Sequence, residues 1–180
     1  MSHARGGGRF TQTEERVRHM SSANHTAVAE PGKQEIVITR EIAAPRELVF
    51  DAWTDPKHVG HWWGPNGFTT TTHEMDVRPG GVWRFIMHGP DGVDYPNRIV
   101  YQEVVRPERL VYVHGGDNSA EPPDFHTTVT FEERGGRTTV TMRAMFRSVA
   151  DRDRVIREHG ALEGGQQTLG RLEEYLAKHG

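Results

Sequence analysis

Between residues 68 and 147 the chain is cut at short intervals by turn-forming residues, and that punctuation leaves few folds open. Pro79-Gly80-Gly81, Gly89-Pro90-Asp91-Gly92, Arg106-Pro107, the loop 115–124 and Gly135-Gly136 separate six segments, at 68–78, 82–88, 94–105, 109–114, 125–133 and 137–147. Pro and Gly at such points form tight turns, and the segments between them are rich in Thr, Val and aromatic side chains that suit a pleated surface. A parallel connection needs about a dozen residues or more, which only the 115–124 loop approaches. The six segments are therefore predicted as antiparallel strands joined by hairpins.

A seventh strand precedes them from residue 34, where Ile36, Ile38, Arg40 and Ile42 alternate with Val37, Thr39 and Glu41. Ala44-Pro45 stops it. Pro45 suits the first position of a helix in which Leu48, Val49, Ala52 and Trp53 make one apolar stripe. Asp55-Pro56 starts a second short helix with Asp55 as its cap, ended by Gly64-Pro65 after Trp62-Trp63. Beyond the strands, Val155, His159, Leu162, Gln166, Leu169, Leu172 and Leu176 recur at intervals of three and four, which predicts one long helix over 149–178. Gly160, Gly164, Gly165 and Gly170 interrupt it at about 1 kcal/mol each relative to alanine, so this helix is expected to lie very close to the sheet or to bend.

Residues 1–33, opened by Gly6-Gly7-Gly8 and without an apolar period, read as a flexible N-terminal tail before one domain at 34–180. Met20 within that tail is a second candidate initiator. The element order gives an α+β fold. Six or seven antiparallel strands form a curved sheet round a long C-terminal helix, with two short helices after the first strand.

Composition narrows function. Lys and Arg number 22 against 25 Asp and Glu, a net charge of −3, so no basic field points to nucleic acid. Cysteine is absent, which excludes disulfides, thiolate metal sites and a cysteine nucleophile. No apolar run exceeds five residues, so membrane insertion is not expected, and no secretory signal is visible at the N-terminus. A cytoplasmic protein is the expectation.

The familiar catalytic patterns fail one by one. The five serines lie in the tail, in the 115–124 loop or at the start of the last helix, and none sits in a G-x-S-x-G elbow. Neither H-E-x-x-H nor a phosphate-binding glycine loop occurs. His58 and His61 have helix-face metal spacing without a third ligand, so no metal and no cofactor are predicted. His73, His88, His114 and His126 fall on four strands, which leaves a cluster geometrically open.

Strand phase nominates an interior. Trp83, Phe85 and Met87 share one face of their strand, with Arg84 and His88 on the other. Thr127, Val129 and Phe131 face inward, as do Thr138, Val140, Met142 and Ala144. Two strands stay ambiguous: Leu110/Tyr112/His114 competes with Val111/Val113, and Tyr95/Asn97/Ile99/Tyr101 with Arg98/Val100/Gln102. Such a lining suits either a small-molecule pocket or an ordinary packed core.

Several segments resemble the START-like, or SRPBCC, superfamily, in the branch related to the activator of heat-shock protein 90 ATPase. They are ITREIAAPRELVFDAW at 38–53, DPKHVGHWWG at 55–64, MDVRPGGVWRFIMHGPDGVDYPN at 75–97, YQEVVRPERLV at 101–111 and EGGQQTLGRLEEYL at 163–176. The resemblance covers roughly residues 35–178. It implies a helix-grip fold with a deep cavity between sheet and helix, and it favours a pocket over a packed core.

Binding of a small hydrophobic molecule is the leading expectation. Phase and position nominate Trp53, Trp63, Trp83, Phe85, Met87, Tyr101, Tyr112, Phe131, Met142, Leu162 and Gln166 as its lining. A cyclase- or hydrolase-like enzyme is the alternative, drawing on His88, Asp94, Tyr95, Arg98, Tyr101 or His114, at least two of which would have to converge. A third reading is a chaperone-ATPase regulator working through Trp62-Trp63 and the 115–124 loop. Co-chaperone members of the superfamily carry a further N-terminal domain, for which the tail is too short and too polar, and this lowers the third reading. A homodimer is compatible with the fold.

Overall fold

The computed structural model describes residues 19–22 and 25–179. Its strands are β1 (His19–Ser22), β2 (His25–Val28), β3 (Glu35–Ile42), β4 (Thr69–Met75), β5 (Val82–His88), β6 (Asp94–Val105), β7 (Arg109–Gly115), β8 (Phe125–Arg134) and β9 (Arg137–Phe146). Its helices are α1 (Arg46–Thr54), α2 (Pro56–Val59), α3 (Val149–His159) and α4 (Ala161–His179). One antiparallel sheet runs β1-β2-β3-β9-β8-β7-β6-β5-β4, so the hairpin series β4–β9 is closed by pairing β9 with β3. This is the α+β helix-grip arrangement.

Local chemistry accounts for the element ends. Asp55 accepts a hydrogen bond from the Lys57 backbone N–H at 2.9 Å and caps α2, whose first residue is Pro56. Ser148 does the same for α3 through the Asp151 N–H at 3.0 Å. Gly80 and Gly92 take left-handed backbone angles, φ 82° each, in the turns before β5 and β6.

The structure corrects the sequence reading in three places. First, the C-terminal helix is two helices. Gly160 adopts φ 58° and ψ 43° and its N–H bonds the Ile156 carbonyl, a left-handed stop that separates α3 from α4. Second, the sheet begins before residue 34. β2 pairs with β3, Ala27 opposite Ile38, and Ala27 and Ala29 are fully buried where β2 meets α4. Nine strands among the described residues therefore exceed the predicted six or seven. Third, α2 ends at Val59, ahead of the tryptophan pair rather than after it. Residues 1–18, 23 and 24 of the predicted tail lie outside the described residues.

The two ambiguous strands resolve cleanly. Ile99 and Tyr101 of β6 and Leu110 and Tyr112 of β7 are each at most 1% exposed and share the inner face with Asn97 and His114. Against that face lie Leu162, Leu169, Leu172 and Leu176 of α4. Trp62 and Trp63 plug one end: Trp53 meets Trp62 edge-on at 4.9 Å, and Trp62 Nε1 donates to the Ala52 carbonyl at 3.0 Å.

Glycine sets the separation of helix and sheet. A Cβ on Gly165 would stand 1.8 Å from Ile38 Cδ1, one on Gly164 3.4 Å from Pro65, and one on Gly170 3.4 Å from the Arg40 guanidinium. Arg40 shares the inward phase of Ile36, Ile38 and Ile42 and bonds Glu173 of α4 at 2.6 Å, its side chain 18% exposed. Gly165→Ala is expected to lower stability through this clash, against a propensity gain of about 1 kcal/mol. Combined with Ile38→Val, which removes the offending methyl, it should show a favourable coupling of about 1 kcal/mol or more in a double-mutant cycle by urea denaturation. Additive effects would contradict the close approach.

Candidate functional site

The break at Gly160 leaves an opening where the helices pass the ends of β5–β9. A cleft of about 770 Å³ lies there, walled by Met87, Tyr95, Asn97, Phe125 and Phe146 on the sheet, by Pro65 and Phe68 on the preceding loop, and by Val155, Gly160, Gly164 and Gln167 on α3 and α4. Its floor is aromatic and aliphatic, while Asp94, Asp124, Asp151, Glu158, Glu163, Arg147 and Arg154 stand on the rim. Arg147 and Arg154 both approach Asp151, at 3.8 and 3.5 Å.

The loop wall is held from α4. The Arg171 guanidinium donates to the carbonyls of Trp63, Gly64 and Pro65 at 3.4, 2.8 and 3.1 Å. Burial pulls its pKa below the usual guanidinium value, and Glu174 pushes the other way. Gln167 Oε1 accepts from the Asn66 N–H at 3.2 Å. Arg171 and Gln167 carried no signal in the sequence, because both fall between the apolar positions of the helix.

Of the residues nominated from sequence, Met87, Asp94 and Tyr95 line the cleft. Trp53, Trp63, Trp83, Phe85, Tyr101, Tyr112, Phe131 and Leu162 lie deeper and pack into the core. Met142 is half-buried against that core, and Gln166 of α4 offers its carbonyl to Arg40 at 3.4 Å. Arg98 belongs to the outward set of β6, beside the 115–124 loop.

The four strand histidines do not cluster. His73 and His126 are exposed. His88, on the outer face, meets Asp94 through Nδ1 at 2.7 Å and Thr71 Oγ1 through Nε2 at 2.8 Å, both partners being exposed. His114 faces inward behind the cleft, with Nε2 2.8 Å from Asn97 Oδ1 and its ring 4.8 Å from Phe125. His58 and His61 sit on aromatic surface: His58 Nδ1 lies 2.6 Å from the Tyr175 hydroxyl, and His61 stacks on Tyr175 with centroids 5.6 Å apart. Among the described residues no group of three or more His, Asp or Glu is placed to hold a metal ion, and no helix is long and apolar enough to cross a membrane.

Comparison with known proteins fits this architecture. The family model described as "Activator of Hsp90 ATPase homolog 1-like protein" matches residues 43–177. The chain belongs to that family. Among solved structures, a Mycobacterium smegmatis protein is similar at 26% identity and TM-score 0.71, covering 80% of this chain and 91% of its own. A Nitrosomonas europaea protein is similar at 27% identity and TM-score 0.73, with coverages of 81% and 96%. An Arthrobacter aurescens protein shares the fold at TM-score 0.77 and 24% identity, with coverages of 84% and 91%. A search of curated proteins finds no match.

Burial lowers the His114 pKa to about 4, so the imidazole is neutral at pH 7. An unfolded histidine titrates near about 6.5, so the unfolded chain binds the proton first as pH falls. The stability His114 contributes is thus complete above that value and is lost between it and about pH 4, at up to about 1.4 kcal/mol per pH unit. His114→Gln should flatten this part of the stability–pH curve measured by urea denaturation. An unchanged slope would show that His114 is not held neutral.

Proposed function

We propose that this protein binds a small, largely apolar molecule in the cleft between the ends of β5–β9 and the α3–α4 break. The observation that carries the reading is the cleft itself, about 770 Å³ with Met87, Phe68, Tyr95, Phe125, Phe146 and Val155 along its walls. That volume lies in the range of small-molecule sites, and an aromatic floor with a few polar groups is their usual composition. The rim charges leave the floor apolar and set how a ligand enters. The deep aromatic residues named from strand phase belong to the packed core and do not line the cleft.

A catalytic role finds less support. The Thr71–His88–Asp94 chain is exposed and touches the cleft only at its rim, through Asp94, where water screens it. His114, the inward histidine, has Asn97 beside its Nε2 rather than a carboxylate.

Titration with the fluorescent apolar dye aminoanthracene tests the reading. Wild-type protein is expected to bind it saturably, and Val155→Trp, which fills the cleft, should weaken binding about tenfold or more while leaving the fold intact. The same change at Leu48, 40% exposed on α1 and outside the cleft, should leave binding unchanged. Equal binding by wild type and Val155→Trp would contradict the assignment.

A further inference from the structure

Two buried hydroxyls have no partner. Tyr101 Oη and Thr127 Oγ1 make no hydrogen bond in the structure, although each residue is only 1% exposed. Buried polar atoms are almost always paired, because an unpaired one forfeits hydration and gains nothing. Two such atoms on one face of one sheet indicate a place where something else supplies the partner.

The register sets them in one row, two strands apart. Tyr101 of β6 stands opposite Tyr112 of β7, and Tyr112 stands opposite Thr127 of β8. Burial raises the Tyr112 pKa, and the Thr127 hydroxyl beside it holds the rise back. The row is one step inward from the cleft. Phe125, two residues before Thr127 on the same face of β8, lines the cleft and is only half-buried. From Phe125 the aromatic contacts run inward to His114 at 4.8 Å, on to Tyr112 at 6.5 Å and to Tyr101 at 6.1 Å. On the sheet, the row Ile99–His114–Phe125 stands between the Tyr101–Tyr112–Thr127 row and the strand ends.

We infer that the cleft extends past Phe125 and takes a neutral, apolar molecule bearing one hydrogen-bonding oxygen, such as a ketone, ester or phenol, anchored by Tyr101 and Thr127. The inference rests on the cleft being the ligand site. Charge selects the class: Arg40, the inward cation of β3, is already bonded to Glu173, so a carboxylate drawn into this interior would lose its hydration without a counter-charge. Burial also raises the Tyr101 pKa above its ordinary value, which keeps the phenol protonated and able to donate to a carbonyl oxygen.

The test uses the full chain and two probes of one shape, acetylnaphthalene, which carries a ketone, and ethylnaphthalene, which does not. Wild type is expected to prefer the ketone about tenfold, and Tyr101→Phe and Thr127→Val to erase that preference. Without ligand, both variants should melt about 2–4 °C higher than wild type, because each loses an unpaired buried hydroxyl at constant shape. Equal affinity of wild type for the two probes would overturn the anchor while leaving the cleft assignment standing. A lower melting temperature in both ligand-free variants would overturn it too, since the hydroxyls would then already be satisfied inside the protein. Failure of wild type to bind either probe would overturn both the anchor and the cleft reading beneath it.

Discussion

The contact of α4 with β3 governs the rest of the structure. Gly165 brings the helix backbone directly onto Ile38, Gly170 admits the Arg40 guanidinium, and Arg40 then bonds Glu173 across the interface. A helix seated this closely leaves its leucines in the concave sheet, where Leu162, Leu169 and Leu172 are at most 2% exposed. Burying a side chain of that size contributes about 1.5–3 kcal/mol each, so the glycines cost helix propensity and return it through packing. The same seating fixes where α4 begins, and therefore where the chain must turn at Gly160.

That turn separates a packed interior from an open end. Toward the C-terminus of α4, Trp53, Trp62, Trp63, Trp83 and Phe131 fill the space between helix and sheet, with successive centroids 4.9–5.9 Å apart along the cluster. Toward its N-terminus the chain turns at Gly160 into α3, and the cleft opens over Phe125 and Phe146. Arg171 links the two regions. It rises from the helix to hold the Trp63–Gly64–Pro65 carbonyls, so the loop that finishes the aromatic plug also builds one wall of the cleft.

Much of this was legible because turns are local events. Pro79-Gly80-Gly81 and Gly89-Pro90-Asp91-Gly92 placed β5 at Val82–His88, the range the structure shows, and the Asp55-Pro56 cap placed the start of α2. Other features depend on what lies across the fold. Gly160 and Gly165 look alike in a helical period, yet one ends a helix and the other receives Ile38. The β2 strand hid because its buried position is a small alanine, Ala27, and alternation over four residues carries little signal. Strand phase told which side chains point inward, including Trp83, Phe85 and Phe131, but not whether they border a space or fill one. That depends on volumes contributed by α1, α2 and α4 together, and three tryptophans from the α1–α2 region take up the room. The cleft was instead marked by Phe146 at the end of the last strand and by the glycine that stops α3.

Methionine methyl groups give the most direct reading of the central claim, because Met87 lines the cleft while Met145 is 42% exposed outside it. An NMR titration of methyl-labelled methionine with an aromatic apolar ligand should move the Met87 resonance, by the ring current of a molecule seated against it, and leave Met145 in place. A Met87 signal that stays fixed while the ligand binds elsewhere would contradict the account.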